Sequence, residues 1–157
     1  MALQILIADD SSLMRQALRR TLDSLGSWEI IDANNGEEAL AKARETKPNL
    51  IILDLAMPVM DGLRAARAIT QVLPDVPIIL HTLHWTPRVV VEALKSGIRK
   101  VVPKSDSASI VTAVRELMPL TPANQTSDVP TSEVNRTVTA SDPARHSPPD
   151  GNDPASQ

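Results

Sequence analysis

The sequence predicts an α/β protein in which a doubly wound, five-stranded parallel sheet is covered on both faces by five helices. Three observations carry this expectation. Short apolar runs alternate with amphipathic segments of helical period, and Gly, Pro or Asn stands at most of the junctions. The first run, Leu3-Gln4-Ile5-Leu6-Ile7-Ala8, reads as a buried strand. Ser12 to Leu25 follows with Met14, Ala17, Leu18, Leu22 and Leu25 on one helical face, and Gly26 is expected to stop it. Trp28 to Ala33 reads as the second strand and Asn34-Asn35-Gly36 as a turn. Glu37 to Thr46 is expected to form a helix that Lys47-Pro48 ends. Leu50 to Leu53 is the third strand, Leu63 to Leu73 the third helix, and Pro77 introduces a fourth strand over Ile78 to His81. Thr86 and Pro87 suit the cap and first residue of a helix that runs to Ser96, with Gly97 as its stop. Ile98 to Val102 is expected as the fifth strand and Ser107 to Met118 as the last helix, with Ile110, Val111, Val114 and Leu117 facing inward.

Residues 1–118 are expected to make one domain and 119–157 a disordered Pro/Ser/Thr-rich tail. The tail holds seven prolines and, after Leu120, no Ile, Leu, Met or Trp, so it has little apolar surface to offset its chain entropy. Asp128, Glu133, Asp142, Asp150 and Asp153 there outnumber Arg136 and Arg145 by three. That excess accounts for the whole formal charge of −3 and leaves 1–118 neutral. A neutral domain with an acidic tail argues against direct nucleic-acid binding, which relies on clustered Lys and Arg. The chain has no cysteine, so disulfides are excluded. No apolar stretch approaches the roughly 20 residues of a membrane span, and the first residues lack the pattern of a secretory signal. A cytoplasmic location is expected.

The chemistry is expected at the strand ends. Asp54 follows the third strand and opens the loop Asp54-Leu55-Ala56-Met57-Pro58-Val59-Met60-Asp61-Gly62, while Asp9 and Asp10 follow the first. In a doubly wound sheet, ligands bind outside the carboxyl ends of the strands. Three carboxylates delivered there without a basic neighbour in sequence want a cation, and magnesium suits a few carboxylates completed by water and phosphate oxygens. Taken singly, each residue has a plainer reading. Asp9 and Asp10 suit a helix cap, Thr82 a strand-end hydroxyl, Lys104 a solvated charge, and Asp61-Gly62 turn and cap chemistry.

Together, Asp9-Asp10, Asp54 with its Met-Pro-x-Met-Asp-Gly loop, Thr82 and Lys104 resemble the response-regulator receiver domain of two-component signalling across residues 1–118. The resemblance implies a flavodoxin-like sheet of order 2-1-3-4-5, for which chemotaxis receivers are themselves a standard example. It implies that Asp54 accepts a phosphoryl group from a sensor histidine kinase or phosphotransfer protein. Asp10, Asp54 and the backbone carbonyl of Ala56 would ligate Mg2+, with Asp9 holding it through water. Lys104 and Thr82 would contact the phosphoryl group, and the surface around the fourth and fifth helices would switch toward a downstream protein. Such a chain catalyses only its own phosphorylation and dephosphorylation.

Three departures from the family pattern stand out. Val101 occupies the place of a usual aromatic, Leu83 follows Thr82 in place of a small residue, and Ser105 follows Lys104 in place of proline. Leu83 beside the phosphoryl group is expected to hinder an attacking water and prolong the phosphorylated form. His84 is expected as an exposed loop residue, Trp85 as a partner anchor or a packing residue, and Arg15, Arg19 and Arg20 as a kinase-facing or solvated face. Two further readings stand beside the phosphoacceptor: a phosphorylation-independent binding module of receiver shape, and the remnant of a DNA-binding regulator that lost its output half. A small-molecule phosphatase of the haloacid-dehalogenase type is disfavoured, because it wants an acid where Ala56 stands. No Gly-rich phosphate loop, Gly-x-Ser-x-Gly elbow or Cys/His metal spacing occurs.

Overall fold

The structure is a computed structural model that describes residues 2–118; the expected tail at 119–157 lies outside the described residues. Five strands and five helices alternate: β1 Leu3–Ala8, α1 Ser12–Asp23, β2 Trp28–Ala33, α2 Gly36–Thr46, β3 Leu50–Leu53, α3 Gly62–Val72, β4 Ile78–Thr82, α4 Pro87–Lys95, β5 Lys100–Pro103 and α5 Ser107–Leu117. All strand pairs are parallel and the sheet order is β2-β1-β3-β4-β5. Strand order therefore reverses between β1 and β3, the two strands that end beside the acids. No described helix is long and apolar enough to cross a membrane.

Alternation along each strand sends side chains to two cores. On one face Leu6, Ile51, Leu53, Ile78 and Leu80 pack with Ala39, Ala65, Ala66, Ile69 and Ala93 from α2, α3 and α4. On the other, Ile5, Ile7, Ile52 and Ile79 pack with Leu18 and Leu22 of α1 and Ile110, Ala113 and Val114 of α5. Each such buried Ile or Leu contributes about 1.5–3 kcal/mol relative to exposure. The two cores fix the sheet between its helices and hold the strand ends in register.

Element ends differ from the expectation where long-range contacts decide them. Helix α1 stops at Asp23 with Ser24 as its cap, ahead of Gly26, which does not take the left-handed conformation of a helix stop. The cause lies on the next strand: the Trp28 indole donates to the Leu22 carbonyl at 2.8 Å, and its ring fills the space beside Gly26. Strand β5 begins at Lys100 and not at Ile98. Gly97, at φ +95°, ends α4 in a Schellman arrangement in which Ile98 N–H donates to the Ala93 carbonyl at 3.0 Å. That residue's donor is thereby spent on the helix, while its side chain is buried in the core. Strand β4 runs one residue further than expected, to Thr82, which pairs with Pro103.

Candidate functional site

The strand ends bring together residues that are far apart in sequence. Asp9 N–H donates to the Ala33 carbonyl at 3.1 Å and Asp54 N–H to the Ala8 carbonyl at 2.8 Å, so both acids extend the sheet ladder by one rung. Asp9 and Asp54 are buried, while Asp10 is exposed. One oxygen from each of the three carboxylates lies within 4.8 Å of the others. Lys104 joins them from the far edge: its backbone N–H donates to the Thr82 carbonyl at 2.8 Å, continuing the β4–β5 pairing past Pro103. Its Nζ lies 2.8 Å from Asp9 Oδ2 and 3.1 Å from Asp54 Oδ1, with all three side chains nearly buried.

Neither early acid is the helix cap. Ser11 caps α1, accepting from Met14 N–H, while Asp9 Oδ1 accepts from Ser11 N–H at 2.9 Å. The Asp9 carboxylate is thus bound on both oxygens, by a backbone donor and by Lys104. Asp61, in contrast, is the N-cap of α3 through Arg64 N–H at 2.9 Å, as its turn chemistry suggested.

The loop from Asp54 to Gly62 is held by tight backbone approaches. Met57 is buried in the core and anchors the loop. Gly62 N–H donates to the Leu55 carbonyl at 2.8 Å, and a Cβ at Gly62 would sit 2.2 Å from the Asp54 carbonyl oxygen. Only glycine fits there. Met60 N–H donates to the Pro58 carbonyl at 2.7 Å across Val59, whose φ of +70° is unusual for a β-branched side chain. Gly36 N–H holds the Met60 carbonyl at 2.9 Å, tying the loop to the start of α2.

A cleft of about 270 Å³ lies over the acids, with Asp9, Asp10, Asp54, Ala56, Leu83, His84 and Lys104 in its walls. Thr82 reaches the same sheet edge but is fully buried and does not line the cleft; its Oγ1 accepts from His84 N–H at 2.9 Å. Leu83 and His84 are exposed, Trp85 is half-exposed, and Val101 packs against the core from β5.

Charge is unevenly balanced here. Burial raises the Asp54 carboxyl above its ordinary range, the Asp9 charge raises it further, and Lys104 only partly offsets the two. Burial by itself would lower the Lys104 ammonium, but its hydrogen bonds and charge contacts with Asp9 and Asp54 outweigh that and raise it. His81, buried beside this group with its Nδ1 unpartnered, is pushed down to about 4 by burial and by Lys104, and is neutral.

The residues fit a hard divalent cation. Octahedral magnesium with legs of about 2.1 Å places neighbouring oxygens about 3 Å apart and opposite ones about 4.2 Å apart. Three carboxylate oxygens within 4.8 Å of one another, one of them on an exposed residue beside an open cleft, come close to that spacing and leave room for water.

One residue escaped the sequence reading. Arg15 is neither solvated nor partner-facing: its Nη1 donates to the Asp9 main-chain carbonyl at 2.6 Å, and its side chain is 15% exposed. The signal was the i, i+6 spacing from Asp9, which lacks meaning until the strand–loop–helix path is known. Arg19 pairs with Asp32 at 2.9 Å.

A two-sided sheet with its strand order reversed at a cluster of three acids and one lysine defines an α/β domain with an acidic pocket at its switch point. The chain belongs to the response regulator receiver domain family, whose model matches residues 5–115. Curated relatives include a protein-glutamate methylesterase/protein-glutamine glutaminase of Aliivibrio fischeri, 38% identical over 106 residues, 66% of this chain and 28% of that one. Another is the response regulator protein VraR of Staphylococcus epidermidis, 35% identical over 118 residues, 74% of this chain and 56% of that one. The chain thus spans less than a third of the methylesterase relative and just over half of the regulator. Among solved structures, chemotaxis protein CheY4 of Vibrio cholerae superposes with a TM-score of 0.70 at 28% identity, covering 75% of this chain and all of that one. A CheX–CheY complex with BeF3 and Mg2+ from Borrelia burgdorferi gives 0.69 at 28% identity, covering 73% of this chain and 87% of that one.

Proposed function

We propose that this chain is a phosphoacceptor: Asp54 takes a phosphoryl group from a histidine kinase or phosphotransfer protein in a Mg2+-dependent reaction. The observation that carries the reading is the contact of Lys104 Nζ with both Asp9 Oδ2 and Asp54 Oδ1, made from the end of β5, three places from β1 and two from β3 in the sheet. The Borrelia burgdorferi relative solved with Mg2+ and BeF3 supports it.

In the reaction an Asp54 carboxylate oxygen attacks phosphorus, the P–N bond to the donor imidazole breaks, and that nitrogen keeps the electron pair. A nucleophile must be ionised, and the Lys104 ammonium beside Asp54 favours that form against the burial that opposes it. Asp10, Asp54 and the Ala56 carbonyl would hold Mg2+, with Asp9 acting through water. Bound there, the cation supplies charge neutralisation for the phosphoryl oxygens. Lys104, already between the acids, supplies a second positive charge fixed in place before the reaction. Thr82 would exchange its turn contact with His84 N–H for a phosphoryl oxygen, drawing the start of the β4–α4 loop inward. Phosphorylation adds roughly two negative charges and three acceptors, enough to bias a loop and helix between two arrangements. The surface from His84 through α5 would present that change to a downstream protein. The reading includes residues 1–118 as the receiver and 119–157 as an acidic appendage, supported by composition.

The test is incubation with acetyl phosphate and Mg2+, followed by intact mass. A base-labile phosphoryl adduct that needs Mg2+ and disappears in Asp54→Ala is expected. An adduct that persists in that variant, or none in the wild type, overturns the reading.

A further inference from the structure

The geometry points to Arg15 as a positioning residue for the metal-binding acids, acting through the peptide that joins Asp9 to Asp10. This inference rests on the proposed Mg2+ site. The Asp9 carbonyl oxygen, Cα of Asp9, and the N and Cα of Asp10 lie in one peptide plane. A donor fixed on that oxygen therefore sets the direction in which the chain leaves Asp9 and, with it, where the Asp10 side chain starts. Asp10 needs such help. It is exposed and its carboxylate makes no hydrogen bond or ion pair among the described residues, in contrast to Asp9, which is held on both oxygens.

Arg15 is itself held for the purpose. Its Nη1 sits 2.6 Å from the Asp9 carbonyl oxygen, and its Nε lies 3.8 Å from Asp32 Oδ2, too far for a hydrogen bond, and is buried with no hydrogen-bond partner. A buried guanidinium nitrogen is left unpaired, while a charge-assisted bond is spent on a main-chain oxygen at the pocket. Asp32 is fixed in turn from outside by Arg19 Nη2 at 2.9 Å, and the Asp32 carbonyl by Lys42 Nζ at 2.5 Å. The chain of contacts runs from the β2 end through the α1 arginine to the junction of the two acids.

Charge alone would act with the opposite sign. A cation beside the pocket repels Mg2+, so removing Arg15 for charge alone would tighten metal binding. Removing a positioning contact loosens it, by about 10-fold for an outer partner of a metal ligand.

The experiment is calorimetric titration of Mg2+ into the full chain, with folding read by near-ultraviolet circular dichroism and melting in EDTA. Arg15→Met, which keeps length and loses every donor, is expected to bind Mg2+ about 10-fold more weakly. Arg15→Lys, with one donor and no planar fork, is expected to lose less. Arg20→Met removes a similar charge from the same helix at an exposed position that makes no contact with Asp9 or Asp32, and is expected to stay within about two-fold of wild type. Mg2+ affinity equal to or tighter than wild type in either folded Arg15 variant overturns the inference. The lysine variant answers the question if the methionine variant does not fold. Failure of the wild type to bind Mg2+, or undiminished binding in Asp10→Asn, sinks the site reading instead, so the two failures are told apart.

Discussion

The cleft has two flanks, and they are held very differently. On the β1–α1–β2–α2 side, Asp32 gathers Arg15 and Arg19, Lys42 bridges Glu38 and the Asp32 carbonyl, and the loop after β3 is pinned to Gly36. On the β4–α4 side, Leu83, Trp85, Val91 and Leu94 face solvent, and the ion pair there is the exposed 3.9 Å contact of Arg67 with Glu92. The acids belong to the tied flank, while Thr82, Leu83 and His84 belong to the other. Segments with few buried contacts open at lower free energy than the core. On the proposed reading, the acids that would hold the metal and accept the phosphoryl group lie on the tied flank, and the loop that would report on them lies on the looser one. Lys104 is the strut between the flanks.

The largest effect is expected on removing that strut. Lys104→Met leaves the buried Asp9 and Asp54 carboxylates facing each other, at a cost of about 3 kcal/mol near pH 7, read by urea denaturation in EDTA. The cost should shrink as pH falls, since protonating the raised Asp54 carboxyl removes one of the two charges. Saturating Mg2+ should restore much of the loss; a loss unaffected by pH and Mg2+ would mean packing, not charge, holds the strut.

A smaller effect of opposite sign is expected at Asp54. The folded-state carboxyl of Asp54 is raised above its unfolded value near 3.8, so the folded chain holds the proton more tightly. Stability from this group is therefore present below the unfolded value and lost as pH rises through the folded one. Asp54→Asn should melt about 3 °C higher than wild type at pH 7 in EDTA, with the difference fading toward pH 4. A variant that melts lower would show that the Lys104 contact outweighs the burial cost.

The smallest effect on stability, and one on lifetime alone, is expected on the free flank. Leu83 is 72% exposed, so Leu83→Ala should change stability by no more than about 0.5 kcal/mol. It should speed loss of the phosphoryl group by opening the cleft wall to water, measured as decay of the adduct after donor removal. An unchanged or slower decay would remove Leu83 from any role in shielding.

Much of this was legible residue by residue. The five apolar runs gave the strands, and Thr86-Pro87 and Lys47-Pro48 marked a helix start and a helix end where the structure has them. An acid after an apolar run is readable as a strand-end group because the signal is local. The ends set by distant partners were not readable. Trp28 closes α1 by reaching back to Leu22, and Ile98 was claimed by the end of α4. Arg15 sat among three arginines of one helix, and nothing in the spacing separated it from Arg20, which faces solvent.

By itself the sequence determined the order and kind of the elements and the presence of acids at two strand ends, because periodicity and turn chemistry act over a few residues. Tertiary structure alone decided that Lys104 meets Asp9 across 95 positions, that Arg15 turns inward onto the Asp9 carbonyl, and that Gly62 lies against the Asp54 backbone. Those contacts depend on which strands become neighbours, and neighbourhood in a sheet is set by the burial of whole faces, not by any short stretch of chain.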